Sequence, residues 1–267
     1  MRKTRFIALF RRLKQTLRSW KQRIDDYSQR CLQSGFIPFT YGPAQLIGRI
    51  LARAQVFIQL GKLRVKGGKN LSLPGLYVFC PNHSSMADAP ILYAILNRWE
   101  SVRYMTAYEE MRGIGGLKAI FMGAMGCFAV DRSQGRTVIE PAIEVLLKGQ
   151  CLTIFPEGRI SETGELQPFK KGAAIIAGSA LAKLPSTQKV GIVPICINYH
   201  KRDNATARKS YLKMGLKWRA GVTVTVGQPI YLNEREGQTP EQVMEEVRDF
   251  ISRSQKSQNE PCKCGSS

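Results

Sequence analysis

Apolar and polar positions repeat along this chain with two different periods, and the change of period sketches its elements. Between residues 4 and 24, Phe6, Leu9, Phe10, Leu13, Leu17, Trp20 and Ile24 recur at helical spacing and form one stripe. Arg2, Lys3, Arg5, Arg11, Arg12, Lys14, Arg18, Lys21 and Arg23 fill the flanks and the opposite face. After a turn-rich break at Gly35, Pro38, Gly42 and Pro43, residues 44–60 predict a second helix, with Ala44, Ile47, Leu51, Ala54 and Ile58 on one face. This helix is more apolar than the first and is expected to pack on it or to enter a membrane interface. Beyond residue 61, short apolar strands and helical stretches take turns. Residues 62–66, 76–80, 102–106, 126–130, 151–155, 190–198 and 222–226 read as extended; 89–97, 109–125, 137–148 and 170–183 read as helical. A last helix opens at Thr239-Pro240-Glu241-Gln242, with Thr at the N-cap, Pro at N1 and Gln at N3. The alternation predicts an α/β single domain with a mixed, largely parallel sheet flanked by helices, preceded by an N-terminal amphipathic helical membrane-binding segment. The expected boundaries are 1–60 for that segment, 61–253 for the domain and 254–267 for a disordered tail.

Composition narrows the setting. With 267 residues, 43% of them hydrophobic, the chain can bury one good core. No stretch of 18 or more apolar residues occurs, so no ordinary transmembrane helix is expected, and no secretory leader is apparent. The seven cysteines lie mostly singly inside apolar runs, which suits thiols in a reducing compartment. Residues 1–70 hold 16 Lys/Arg against 2 acids, a balance of +14 within the total of +20. A basic helix with a Phe/Leu/Trp stripe suits the headgroup boundary of an anionic bilayer, where each cation is worth roughly 1 kcal/mol. Nucleic acid is not the expected partner, because the aromatics share the apolar stripe instead of interleaving with the basic face. The competing arrangement docks the stripe on the chain's own domain.

Candidate chemistry centres on His83, one of two histidines, in Pro81-Asn82-His83-Ser84-Ser85-Met86-Ala87-Asp88. The block follows the apolar run Leu76–Cys80, and Ser84-Ser85 offers a helix N-cap. Residues five apart within one helix point about 140° apart. His83 and Asp88 therefore meet only if His83 lies in the loop and Asp88 in the first turns of the helix. Asp88 then holds one ring nitrogen and aims the other at a substrate hydroxyl. A capped helix start with an incidental His and Asp is the alternative. Two more segments sit at strand exits, where α/β folds place their sites. Gly126–Arg132 ends in a guanidinium suited to phosphate, with Lys118 upstream as a candidate companion; a surface ion pair between Asp131 and Arg132 is the equal alternative. In Phe155-Pro156-Glu157-Gly158-Arg159-Ile160-Ser161, Pro156 and Gly158 shape a turn able to aim Glu157 and Arg159 at one pocket; taken by itself, the segment reads at least as well as an ordinary tight loop. Val193-Pro194 breaks a further strand and suits a pocket wall. His200 has no assigned role. Cys262 and Cys264 resemble the opening of a small zinc-binding tail, but two thiols cannot complete a tetrahedral site.

In order and spacing, these four blocks over residues 76–198 resemble the glycerolipid acyltransferase family, the lysophosphatidic-acid-acyltransferase-like enzymes. The resemblance implies roles. His83 takes the proton from an acceptor hydroxyl as it attacks an acyl thioester, and Asp88 orients the imidazole. Arg132 and Arg159 grip the acceptor's phosphate, Gly158 shapes the turn, and Glu157 positions the glycerol backbone; Lys118 and Lys170 or Lys171 are candidate supplements. No metal, other cofactor or acyl-enzyme is implied. Acyl-CoA or acyl-carrier protein serves as the donor substrate, and a lysophospholipid as acceptor, 1-acylglycerol 3-phosphate foremost. The family's commonest third block carries Thr-Arg-Ser after the Gly, whereas here Arg159 follows Gly158 directly. The longer run to Lys171-Gly172-Ala173 resembles members that reacylate lysophospholipids such as lysophosphatidylethanolamine. The expected location is peripheral or monotopic on the cytoplasmic face of a membrane. The competing readings are an acyltransferase for another acceptor (lysophosphatidylethanolamine, glycerol 3-phosphate or a lyso-aminolipid), a hydrolase, and a non-catalytic basic binding protein.

Overall fold

The computed structural model describes residues 2–96, 102–112, 116–131, 139–161, 163, 165–200, 221–235 and 237–259, without the side chains of 2–13 and 258–259. Its core is one sheet, read along the chain as β1 (Leu63–Lys66), β2 (Leu76–Pro81), β3 (Val102–Ala107), β4 (Cys127–Val130), β5 (Cys151–Thr153), β6 (Val190–Tyr199), β7 (Val222–Val226) and β8 (Ile230–Tyr231). Among the described residues the order across the sheet is β1-β7-β6-β2-β5-β3-β4, with β8 also on β6. β6, β2, β5, β3 and β4 run parallel, while β7 and β8 run antiparallel to β6. The mixed, largely parallel sheet is thus present. Strands such as β2 and β4 are apolar at nearly every position because helices cover both faces.

On one face lie the C-terminal part of α1 (Arg2–Leu32), α2 (Gly42–Leu60), α3 (Asp88–Leu96), α4 (Tyr108–Met111) and α5 (Leu117–Ala124). The other face carries α6 (Ile139–Leu147), α7 (Gly172–Leu181) and α8 (Pro240–Asn259). The helix expected over 109–125 is broken into α4 and α5, with Gly116 in a left-handed conformation at the start of α5. Thr239 and Gln242 form the reciprocal cap expected of α8, each accepting the other's backbone N–H. This helix continues to Asn259, so order extends past residue 254, where the tail was placed. Cys262 and Cys264 lie outside the described residues.

The N-terminal helices depart from expectation in an instructive way. From Tyr27 onward α1 is anchored: Ser28 and Cys31 are buried, and Tyr27 meets Phe36 edge-on. Earlier on the same helix Trp20 is 61% exposed, and Leu17 and Ile24 are exposed too. In α2 the buried residues are Ala44, Gly48, Ala52, Val56 and Leu60, not the face of Ala44, Ile47, Leu51, Ala54 and Ile58 that periodicity predicted. Its small side chains let the helix lie close. A Cβ on Gly48 would stand 2.6 Å from the methyl of Met125. Leu46, Ile47, Ile50, Leu51, Phe57 and Ile58 face outward, each more than half exposed. No helix among the described residues is long and apolar enough to cross a membrane.

Candidate active site

Three strands deliver the site: β2 ends at Pro81, β5 at Thr153 and β6 at Tyr199. Asn82 fastens the first of these to the third. Its Oδ1 accepts the N–H of Ile197 at 2.7 Å and its Nδ2 donates to the Ile197 carbonyl at 3.1 Å. The buried amide therefore imitates one more rung of the β2–β6 ladder and satisfies both of its polar ends. His83 comes next, in the loop, and Asp88 is the first residue of α3, the arrangement the five-residue spacing requires.

Nδ1 of His83 lies 2.9 Å from Oδ2 of Asp88. That oxygen also accepts the N–H groups of Ser84 and Ser85, both at 2.8 Å, and Oδ1 accepts the Tyr199 hydroxyl at 2.5 Å. Asp88 is fully buried, so these donors replace the water that a carboxylate otherwise needs. Donors from several directions fix Asp88 as an acceptor. Nδ1 then carries the ring proton and leaves a lone pair on Nε2. No described residue bonds Nε2. Phe155 lies against the face of the imidazole, with ring centroids 3.9 Å apart and planes 20° apart. One edge and one face of the ring are thereby fixed.

Glu157 occupies a place different from the one its motif suggested. It is buried, and its two oxygens accept the backbone N–H of His83 at 2.6 Å and of Gln167 at 3.0 Å. Ser161 donates its own N–H to the carbonyl of His83 at 2.8 Å. The Phe155–Ser161 turn thus grips His83 by both backbone groups. Burial raises the Glu157 carboxyl above the usual carboxylate range, and its two backbone donors pull the other way.

Gly158 adopts φ +73°, and a Cβ there would lie 2.8 Å from Nζ of Lys170. A side chain at this position would be strained and would displace the ammonium. The Lys170 ammonium stands against Gly158, the residue before the exposed Arg159. Lys171 instead pairs with Glu241 at 2.7 Å, away from the turn. Lys118 is half-buried on α5, on a separate element, and Arg132 lies outside the described residues. Val193 and Pro194 are inside β6, where they pair with Phe79 and Cys80 of β2 and form a wall without chemistry. His200 bonds Thr223 through Nε2 at 2.7 Å and takes no part in the site. The residues that sequence reasoning missed are Asn82, Phe155 and Tyr199. The first two stood inside the quoted blocks, and Tyr199 carried no signal.

The acyltransferase family model matches residues 62–198, a span holding the His83, Glu157 and Val193 blocks. The chain is 28% identical over 201 residues to a chloroplastic 1-acyl-sn-glycerol-3-phosphate acyltransferase of Brassica napus, covering 72% of this chain and 51% of that protein. It is 27% identical over 164 residues to the taffazin of Dictyostelium discoideum, covering 57% and 54%. The chain spans about half the length of the curated relatives it matches. The crystal structure of the 1-acyl-sn-glycerophosphate acyltransferase of Thermotoga maritima superposes with a TM-score of 0.60 at 18% identity, covering 81% of each chain, a likeness of fold. With the family match extending over more than half the chain and the paired His83 and Asp88 at its centre, the protein belongs to the acyltransferase family, the glycerolipid acyltransferases whose blocks its sequence resembles.

Proposed function

We propose that the protein is a membrane-surface O-acyltransferase that esterifies the free hydroxyl of a lysophospholipid, with 1-acylglycerol 3-phosphate as the leading acceptor. The observation that carries the reading is the 2.9 Å contact between Nδ1 of His83 and Asp88 with Nε2 left open. Nε2 accepts the hydroxyl proton as the acceptor oxygen bonds to the thioester carbonyl carbon. The carbon–sulfur bond then breaks, and the thiolate of acyl-CoA or acyl-carrier protein leaves with the proton returned by the imidazolium. General-base help of this kind gives about 10²–10⁴-fold. Acyl transfer direct from donor to acceptor needs no covalent enzyme intermediate and no cofactor. Arg159, Lys170 and Arg132 offer charge for the acceptor's phosphate. Glu157 acts through the backbone of His83, holding the base still, instead of touching glycerol.

Membrane association is supported by the outward Leu, Ile and Phe side chains of α2, by the exposed Leu17 and Trp20, and by the basic flanks of α1. The attachment we propose is peripheral or monotopic, on the cytoplasmic face.

The test is acyl transfer from labelled acyl-CoA and acyl-carrier protein to lysophosphatidic acid, lysophosphatidylethanolamine and glycerol 3-phosphate, with wild type beside His83→Ala. Ester from wild type, lost by about 10²-fold or more in the variant, supports the reading and names the acceptor. Free fatty acid in place of ester assigns a hydrolase. Equal product from both proteins, or none from either, removes His83 as the base.

A further inference from the structure

The carboxylate of Asp88 is held by one group that none of the four sequence blocks contains. Oδ2 serves three donors: Nδ1 of His83 and the N–H groups of Ser84 and Ser85. Oδ1 accepts the Tyr199 hydroxyl at 2.5 Å. The division matters because the torsion that swings an aspartate's carboxylate plane is soft and nearly two-fold. Three donors crowded on one oxygen do not fix that plane. A donor on the second oxygen does, and here it comes from a rigid place. Tyr199 ends β6, two residues beyond Ile197, whose N–H and carbonyl are both tied to Asn82 beside His83. Ile197 and Tyr199 pack into the same apolar cluster, so the ring rises from a supported strand face.

We propose that Tyr199 is a positioning residue for the His83–Asp88 pair. Its hydroxyl fixes the carboxylate plane, so that Oδ2 remains on Nδ1 while the imidazole takes up and returns a proton. The inference rests on the acyltransferase reading of that pair. With the phenol oxygen removed, a fully buried carboxylate oxygen loses its donor, and the group turns to share Oδ2's donors between both oxygens. Nδ1 then loses alignment, and with it the single tautomer that leaves Nε2 free to act as base. Arg159 and Lys170, two of the proposed phosphate contacts, lie on the segment between β5 and α7 and not on β6.

Tyr199→Phe in the full chain tests this. The expected result is a kcat lowered about 10- to 100-fold, the range for a hydrogen bond to a charged group, with KM for donor and acceptor unchanged. A second readout needs no turnover. The chain has only two histidines, so ¹⁵N-histidine spectra contain two rings, and His200→Gln assigns them. In wild type the His83 ring is expected to show one tautomer protonated at Nδ1. In Tyr199→Phe its two nitrogen signals draw together as tautomers mix, while the His200 signals stay in place and report an intact fold. A kcat within about twofold of wild type, or His83 signals that do not move, overturns the proposal. Should wild type form no ester at all, the acyltransferase reading fails, and the ring signals still decide whether Tyr199 orients the pair.

Discussion

The His83 loop and the α2 helix solve opposite problems within one fold. Around His83 three buried polar side chains are matched within the chain: Asp88 by His83, Ser84, Ser85 and Tyr199, Glu157 by two backbone N–H groups, Asn82 by the N–H and the carbonyl of Ile197. On α2 the buried groups are Ala, Gly, Val and a single Leu, while Ile50 and Phe57 stand in the open. A buried carboxylate without donors costs several kcal/mol, so the loop must complete its hydrogen bonds within the chain. The large apolar side chains on one face of α2 are instead presented to solvent, each more than half exposed. The site is in that sense self-sufficient, whereas the α2 face offers apolar area to its surroundings.

The strongest way to break the self-sufficient side is Asp88→Ala. It strips the acceptor from the Ser84 and Ser85 N–H groups, the Tyr199 hydroxyl and the His83 ring together. We expect kcat to fall by at least about 10²-fold with substrate KM little changed. Steady-state rates on a soluble short-chain acceptor check this, since they separate chemistry from membrane docking. A loss confined to KM would show that the pair binds substrate and does not act on it.

The opposite side is tested by Ile50→Asp with Phe57→Asp. Both positions are exposed, so each substitution should change folding stability by no more than about 0.5 kcal/mol. Burying one such side chain in an apolar phase is worth roughly 1.5–3 kcal/mol, so the pair should lower partition onto anionic vesicles by about 10²-fold or more. Turnover of a monodisperse acceptor should not change. Vesicle co-sedimentation equal to that of wild type would mean that the α2 face meets another partner, or none.

The comparison also shows what periodicity can and cannot reveal. The order of strands and helices was legible because burial on both sheet faces leaves apolar runs, and helix geometry said where His83 and Asp88 had to lie in order to meet, though not that they would. The face of α2 was not. Two apolar stripes run along that helix, and hydrophobicity favours the one with larger residues, Ile47, Leu51 and Ile58, which the structure turns outward. The stripe that packs is chosen by size, because only small residues let α2 lie close enough for Gly48 to meet Met125. Glu157 was legible as a site residue but not as a clamp, since its partners are backbone groups that no side-chain pattern marks. Tyr199 was invisible for a simpler reason: it is 111 residues from the carboxylate it touches, and only the β2–β6 pairing brings them together.

The smallest effect concerns that clamp and follows from its burial. Desolvation raises the Glu157 carboxyl above the range of an exposed glutamate, so the folded state holds this proton more tightly than the unfolded chain does. Between the ordinary and the raised values the native state binds more protons. Stability contributed by this group is therefore full below the ordinary value and is lost as pH rises through the raised one. Function has the opposite sign. Only the ionised carboxylate can accept from His83 and Gln167 with both oxygens, so acidification through the same window frees one N–H and loosens the His83 loop. Glu157→Gln does not titrate and offers one acceptor oxygen in place of two. Its stability should lack this part of the pH slope, and its activity should be reduced at pH above the raised value, where wild type has the clamp closed. Urea unfolding of the two proteins across the carboxylate range, with initial rates alongside, checks both signs. Parallel stability curves would mean that the backbone donors cancel the desolvation, leaving a clamp whose charge is neutral in cost and whose worth is entirely in holding the base.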